Sequence, residues 1–196
     1  MTYKFRFPGI PEYYADTDGL KFRKFDFYPV TVPGSDVTPS PNPYGLSSSA
    51  WTTGIEGKNT TIDLNITASN VTYVWRGYFK PDQTSASWQF RTTSNDGSWV
   101  WIDDDAENET TALVTNDAVV KNGGQHSNQT VASSNITLSQ STDGDTYYAI
   151  ALVAGNKPGS GRITLEFRRD SGTWQSDGTG FYFFDSRRAD GFYPGS

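Results

Sequence analysis

Phe90-Arg91-Thr92-Thr93-Ser94-Asn95-Asp96-Gly97-Ser98-Trp99-Val100-Trp101-Ile102-Asp103 is the stretch on which the fold turns. An extended run ends in Ser94-Asn95-Asp96-Gly97, and a Trp-rich apolar run follows. Aromatic and β-branched residues suit a pleated surface, while Asn, Asp and Gly are what tight turns demand. Read locally, the segment is two strands joined by a hairpin turn.

The same pattern recurs outward along the chain. Leu20–Tyr28 and Thr61–Ile66 alternate apolar and polar residues, as strands with one buried face do. Val71–Phe79 carries Tyr73, Trp75, Tyr78 and Phe79, and Ala86–Thr92 carries Trp88 and Phe90. Trp99–Ile102 is apolar throughout. Asn135–Leu138, Thr146–Val153, Gly161–Arg168 and Gly180–Phe184 complete the set. No stretch holds a 3.6-residue apolar period over three turns. Short strands at this spacing predict an all-β antiparallel sandwich or barrel. With no internal repeat and no second core, residues 19–196 are expected to form one domain. Residues 1–18 precede it as an arm, in which Pro8 and Pro11 make a short stiff connector. Val32–Ser49, with Pro33, Pro39, Pro41 and Pro43, reads as a long functional or covering loop.

Composition removes several functions. A chain of 196 residues buries a core without staples, and the lack of Cys excludes thiol catalysis, disulfides and zinc-thiolate sites. Aromatic residues make up 15% and charged residues only 19%, with 19 Gly, which again favours strands and turns. The net charge of −6 argues against nucleic acid, because tracking phosphates needs a basic face. No apolar run approaches the roughly twenty residues that span a bilayer, so membrane insertion is not expected. The opening MTYKFRFPGIPEYY lacks the apolar stretch and cleavage site of a secretory signal. An excised module is expected, or one that reaches its destination uncleaved, as a virion component does. Sequons at Asn59, Asn65, Asn70, Asn108, Asn128 and Asn135 are read as exposed polar loops.

Catalysis finds little support. The single His, His126, lies in the polar run Asn122–Asn128, no Gly-x-Ser-x-Gly elbow accompanies it, and the reading is a solvated loop residue. Asp103-Asp104-Asp105 cannot converge within a strand, where neighbouring side chains face opposite ways, so a turn is expected. A glycosidase needs an acid and a base facing across a cleft, which sequence does not show. No enzyme activity is expected.

The wider pattern resembles the PA14 domain and its GLEYA branch in fungal flocculins and epithelial adhesins. Phe90–Asp103 is similar to that branch's strand, Asp-Asp, short spacer and apolar-Trp-Ile-Asp/Gly arrangement. Gly19–Phe25 resembles its opening Gly-Leu strand, and Tyr73-Val74-Trp75-Arg76-Gly77-Tyr78-Phe79 its Trp-x-Gly-x-Phe strand. Tyr147–Val153 with Arg162–Phe167 looks like the strands around its second ligand loop, and Asp170–Phe184 like its closing segment. The match runs from about residue 19 to 185.

The resemblance implies a PA14-like β-sandwich with ligand loops at one end. In the adhesin branch two successive Asp joined by a cis peptide hold a Ca²⁺ that also takes vicinal sugar hydroxyls. A second-loop Asn and backbone carbonyls complete the ligands. By position the pair becomes Asn95 and Asp96, the second-loop residue Asn156, and the carbonyls those of Pro158 and Ser160. Ca²⁺ takes six to eight oxygens, so such a rim leaves room for a diol. Here Asn95 stands where the family has its first Asp, so these residues carry one formal negative charge, and Lys157 lies beside them. That departure leaves a weak metal site and a metal-free loop both open. Asp103, Asp104 or Asp105 would add charge if the loops converged. Among the aromatics, Trp99 and Trp101 read as core, and Trp174 as a platform for a sugar face.

The expected function is a calcium-dependent, lectin-like carbohydrate-binding module for attachment or adhesion. Its partner would be a glycan with vicinal hydroxyls. It would sit at a cell or virion surface as part of a larger surface assembly. The second reading is a structural virion or assembly domain that uses the same sandwich for protein–protein contacts without metal.

Overall fold

The computed structural model describes residues 17–26, 56–103, 106, 117–144 and 146–184. Among these, thirteen strands are the regular elements. They are β1 Thr17–Asp18, β2 Leu20–Phe25, β3 Glu56–Asn59, β4 Ile62–Ile66, β5 Val71–Phe79, β6 Ala86–Asn95 and β7 Ser98–Ile102. There follow β8 Val120–Asn122, β9 Gln129–Ala132, β10 Ile136–Leu138, β11 Tyr148–Asn156, β12 Gly161–Arg169 and β13 Tyr182–Phe184.

Strand β6 shows why the chain forms two layers. Ala86, Trp88, Phe90, Thr92 and Ser94 are buried, and the residues between them are half-exposed, so one face meets a core and the other meets water. Its sheet has five strands in the order β10-β6-β12-β4, with β9 also on β6. The facing sheet has eight, in the order β1-β13-β5-β11-β7-β8, with β2 joining β5 and β3 joining β2. All pairings are antiparallel. The all-β antiparallel sandwich is therefore confirmed, and the barrel is not formed. The local reading of a hairpin at Ser94–Gly97 is corrected: β6 and β7 do not pair, and the turn carries the chain from the five-stranded sheet to the eight-stranded one.

Between the sheets Phe79 meets Trp88, Phe90 and Phe167 at ring-centroid separations of 5.0, 5.1 and 5.4 Å, each edge-on. Burying each large apolar side chain stabilises the fold by about 1.5–3 kcal/mol, and edge-to-face rings add to it. A second cluster lies on the opposite face of the large sheet and includes Phe25, Val74, Trp99, Trp101, Ala151 and Val153. Strands β7 and β11 are buried at every position, so they read as unbroken apolar runs.

The sequence pattern leaves out β1, β3, β8 and β9, which are two to four residues long and mostly polar. They are specified by their neighbours in the sheets. Residues 1–16, Phe27, Tyr28 and Val32–Ser49, on which the arm, the end of the first strand and the long loop were expected, lie outside the described residues. Among the described residues no helix is long and apolar enough to cross a membrane.

Candidate ligand-binding loops

Strand register brings the β6–β7 turn and the β11–β12 loop to one end of the sandwich. Asn95, the last residue of β6, pairs with Arg162 near the start of β12. Ser98, the first of β7, pairs with Ala154 near the end of β11. The Asn95–Asp96 peptide bond at this turn is cis. Asp96 N–H donates to Gly155 O at 3.1 Å, and Gly155 N–H donates to Gly97 O at 2.9 Å, which stitches the turn onto β11.

Asp96 is 5% exposed, and its carboxylate is held from two sides. Oδ2 accepts the Lys157 backbone N–H at 2.8 Å, and Oδ1 accepts the His126 backbone N–H at 3.1 Å. A buried carboxylate is tolerated where fixed donors replace its water, and here two loops supply them. Asp96 therefore braces three segments together.

Asn156 is buried as well. Its side-chain nitrogen donates to Ala68 O at 2.8 Å and Gly159 O at 3.0 Å, so both amide protons are used. Its oxygen faces Gly161. A Cβ on Gly161 would lie 2.3 Å from Asn156 Oδ1 and 2.7 Å from the Asn95 carbonyl oxygen. Only glycine allows those two oxygens to approach so closely. Asn95 is half-exposed, and its Nδ2 donates to Ser160 O at 3.2 Å. Pro158, Gly159 and Ser160 form an exposed rim beside it.

The structure thus brings Asn95, Asp96, Asn156, Pro158 and Ser160 to one loop end. It adds a third loop that sequence reasoning missed. His126 acts here through its backbone, and its ring nitrogens lie 2.8 Å from Ser127 O and 3.3 Å from Asn122 O. Beneath it, Asn122 Nδ2 donates to Ser94 Oγ and Gln129 O, both at 2.9 Å. Ser98 Oγ lies 2.8 Å from Ser94 Oγ and from Thr92 Oγ1. Thr92, Ser94, Ser98 and Asn122 are all buried, so this chain of hydroxyls and an amide underpins the turn. The sole sequence signal for it was polar residues at inward positions of β6.

Two expected contributors lie elsewhere. Trp174 sits over the outer face of the small sheet, its ring centroid 4.3 Å from the Arg91 guanidinium and 4.5 Å from that of Arg168. Arg91 precedes Asn95 by four residues on β6, so this platform is about 13 Å from the loop end. Cation–π attraction to two guanidiniums holds it there. Asp103 has left-handed backbone, φ 65°, and its N–H donates to Ala149 O at the far end of β7. It adds no charge to the Asn95–Asp96 turn, and Asp104 and Asp105 lie outside the described residues. Trp99 and Trp101 are fully buried.

The donor set bears on the calcium that the resemblance implies. Asp96 is the one carboxylate among the assigned residues, and both its oxygens already accept backbone N–H groups. The Ser160 carbonyl faces an amide N–H from Asn95. Ca²⁺ affinity follows the count of charged oxygen ligands, and this set does not fit the ion.

Comparison with known proteins agrees with this architecture. The family model described as GLEYA domain matches residues 71–169, half of the chain. The chain is similar to the epithelial adhesin 6 A domain of Candida glabrata, solved in complex with Galβ1-3GlcNAc. The identity is 17%, covering 93% of this chain and 92% of that one, with a TM-score of 0.60. It is similar to the PA14 sugar-binding domain from an RTX adhesin at 14% identity, covering 86% and 99%, with a TM-score of 0.59. It is also similar to the PA14 domain of the antifreeze protein MpAFP, at 15% identity, 84% and 89% coverage and a TM-score of 0.52. No curated protein matches the chain. The matched span runs from β5 to the end of β12 and contains both loops of the site; the chain belongs to the GLEYA domain family, built on the PA14-like sandwich.

Proposed function

We propose that this chain is a carbohydrate-binding module for adhesion at a cell or virion surface, with its ligand at the end of the sandwich formed by the β6–β7 turn and the β11–β12 loop. The observation that carries the reading is the bracing of Asp96 by two loops beside the exposed rim Pro158–Ser160. Asp96 and Asn156 are the positioning residues, being buried and engaged with backbone. Asn95 and the rim are the contact surface, where amide and carbonyl groups suit sugar hydroxyls that both donate and accept. Solved relatives of the same fold carry Galβ1-3GlcNAc, Galβ1-4GlcNAc and β-lactose, which supports a glycan as the ligand class. The action is binding without a catalytic step, and it does not pass through Ca²⁺.

A glycan array probed with wild-type protein and Asp96→Ala tests this. Wild type is expected to retain one or more galactose-terminated glycans, and the variant to retain none while still melting cooperatively. Unaltered binding by Asp96→Ala would overturn the site.

A further inference from the structure

We infer that Asn95 substitutes for the cation in this loop pair, so that the loop end is closed by the chain's own hydrogen bonds and needs no calcium. The claim about the loop stands on its own, and the claim about the ligand rests on the carbohydrate-binding reading.

The groups at the turn meet chain atoms. Asn95 Nδ2 donates to Ser160 O, so the amide proton stands against the carbonyl that the resemblance assigns to the ion. Asp96 Oδ1 and Oδ2 accept N–H groups from His126 and Lys157, and Asn156 Nδ2 donates to Ala68 O and Gly159 O. These bonds tie together the β4–β5 turn, the β8–β9 loop and the β11–β12 loop, which are the segments a metal would otherwise gather. A cation bound by Ser160 O and the Asn95 side-chain oxygen would require the amide to turn over and the Asn95–Ser160 bond to break.

Charge points the same way. The assigned residues offer one carboxylate to a divalent ion, Lys157 follows Asn156 directly, and Asp103 lies at the opposite end of β7. A doubly charged ion leaving water for a site with one carboxylate is poorly compensated, whereas that carboxylate already accepts one backbone N–H on each oxygen. Replacing a carboxylate with an amide at residue 95 both lowers the site's charge and supplies the donor that takes over the ion's contact with Ser160.

The experiment compares wild type with Asn95→Asp, both freed of metal by chelator and then titrated to about 10 mM CaCl₂, with MgCl₂ as control. Melting temperature and calorimetric heat are read together. Wild type is expected to show no saturable heat and no rise in Tm. Asn95→Asp is expected to melt lower than wild type without calcium, because two adjacent carboxylates repel and Ser160 O loses its donor. It should then recover by several degrees as calcium is added. A saturable rise in the wild-type Tm overturns the inference, and so does a variant that gains no calcium response. The wild-type titration decides even where the variant fails to fold. Wild-type binding to the glycan array in excess chelator is the second readout. Binding that survives supports the inference, and binding lost in chelator overturns it. No glycan binding in either condition counts against the carbohydrate reading, and the calcium titration still decides the loop.

Discussion

The backbone N–H of Lys157 donates to Asp96 Oδ2 at 2.8 Å across a sequence separation of 61 residues. Through it the β6–β7 turn and the β11–β12 loop act as one unit, and His126 N–H on Oδ1 adds the β8–β9 loop. A hydrogen bond to a charged group contributes about 1.5–3 kcal/mol, and a buried carboxylate that loses its donors costs more than a missing carboxylate. The consequences are specific enough to measure.

Asp96→Ala removes both bonds and leaves two backbone N–H groups without an acceptor. A loss of about 2–4 kcal/mol is expected in urea unfolding, with the transition still cooperative and glycan retention abolished. Asp96→Asn, which keeps one acceptor oxygen, should fall between the two. Equal stability of all three proteins would show that the brace is not formed.

Gly161→Ala tests the close approach at the start of β12. Its Cβ would meet Asn156 Oδ1 at 2.3 Å and backbone oxygen of Asn95 at 2.7 Å, so Asn156 must move away from Ala68 O and Gly159 O. Overpacking of this kind costs about 1–3 kcal/mol, and ligand affinity should fall with it. Circular dichroism melting and the glycan array read the two effects separately.

Trp174→Ala separates the outer sheet face from the loop end. The ring's contacts are with Arg91 and Arg168, and Arg91 stays paired with Glu166 at 2.8 and 2.9 Å without it. A stability loss of about 0.5–1 kcal/mol is expected for a half-buried surface cation–π contact, with glycan affinity unchanged. A tenfold drop in affinity would return Trp174 to the binding surface.

Tyr182 predicts a pH dependence. Its hydroxyl is buried with no hydrogen-bond partner among the described residues, and burial, with a smaller push from the Glu166 charge, raises its pKa well above the ordinary tyrosine value. The unfolded chain therefore loses this proton first. Stability from the neutral hydroxyl is fully present below about pH 10 and falls by up to about 1.4 kcal/mol per pH unit above it. Tyr182→Phe should remove that fall between pH 10 and 12, and at pH 7 it should be neutral or stabilising by about 1 kcal/mol. Parallel pH profiles for the two proteins would refute the assignment.

Sequence by itself determined the strands, and the tertiary structure assigned them to layers, separating β6 and β7 into different sheets. Period-two alternation in β6 and β12, the aromatic runs of β5 and β7, and Asn-Asp-Gly at residues 95–97 are local signals, and local signals dictate strands and turns. The same signals carried the family resemblance and singled out Asn95, Asp96 and Asn156. They also flagged the loss of charge at residue 95, because a side chain's formal charge is fixed by its identity. Tertiary structure decided what those residues do. Asp96 meets Lys157 and His126, Asn156 meets Ala68, and Asn95 meets Ser160 across sequence separations of 30 to 88 residues, distances over which no residue pattern reports contact. It also separated Trp174 and Asp103 from the loop end, because strand register, set by which faces bury the most apolar surface, fixes the end of the sandwich at which each turn emerges.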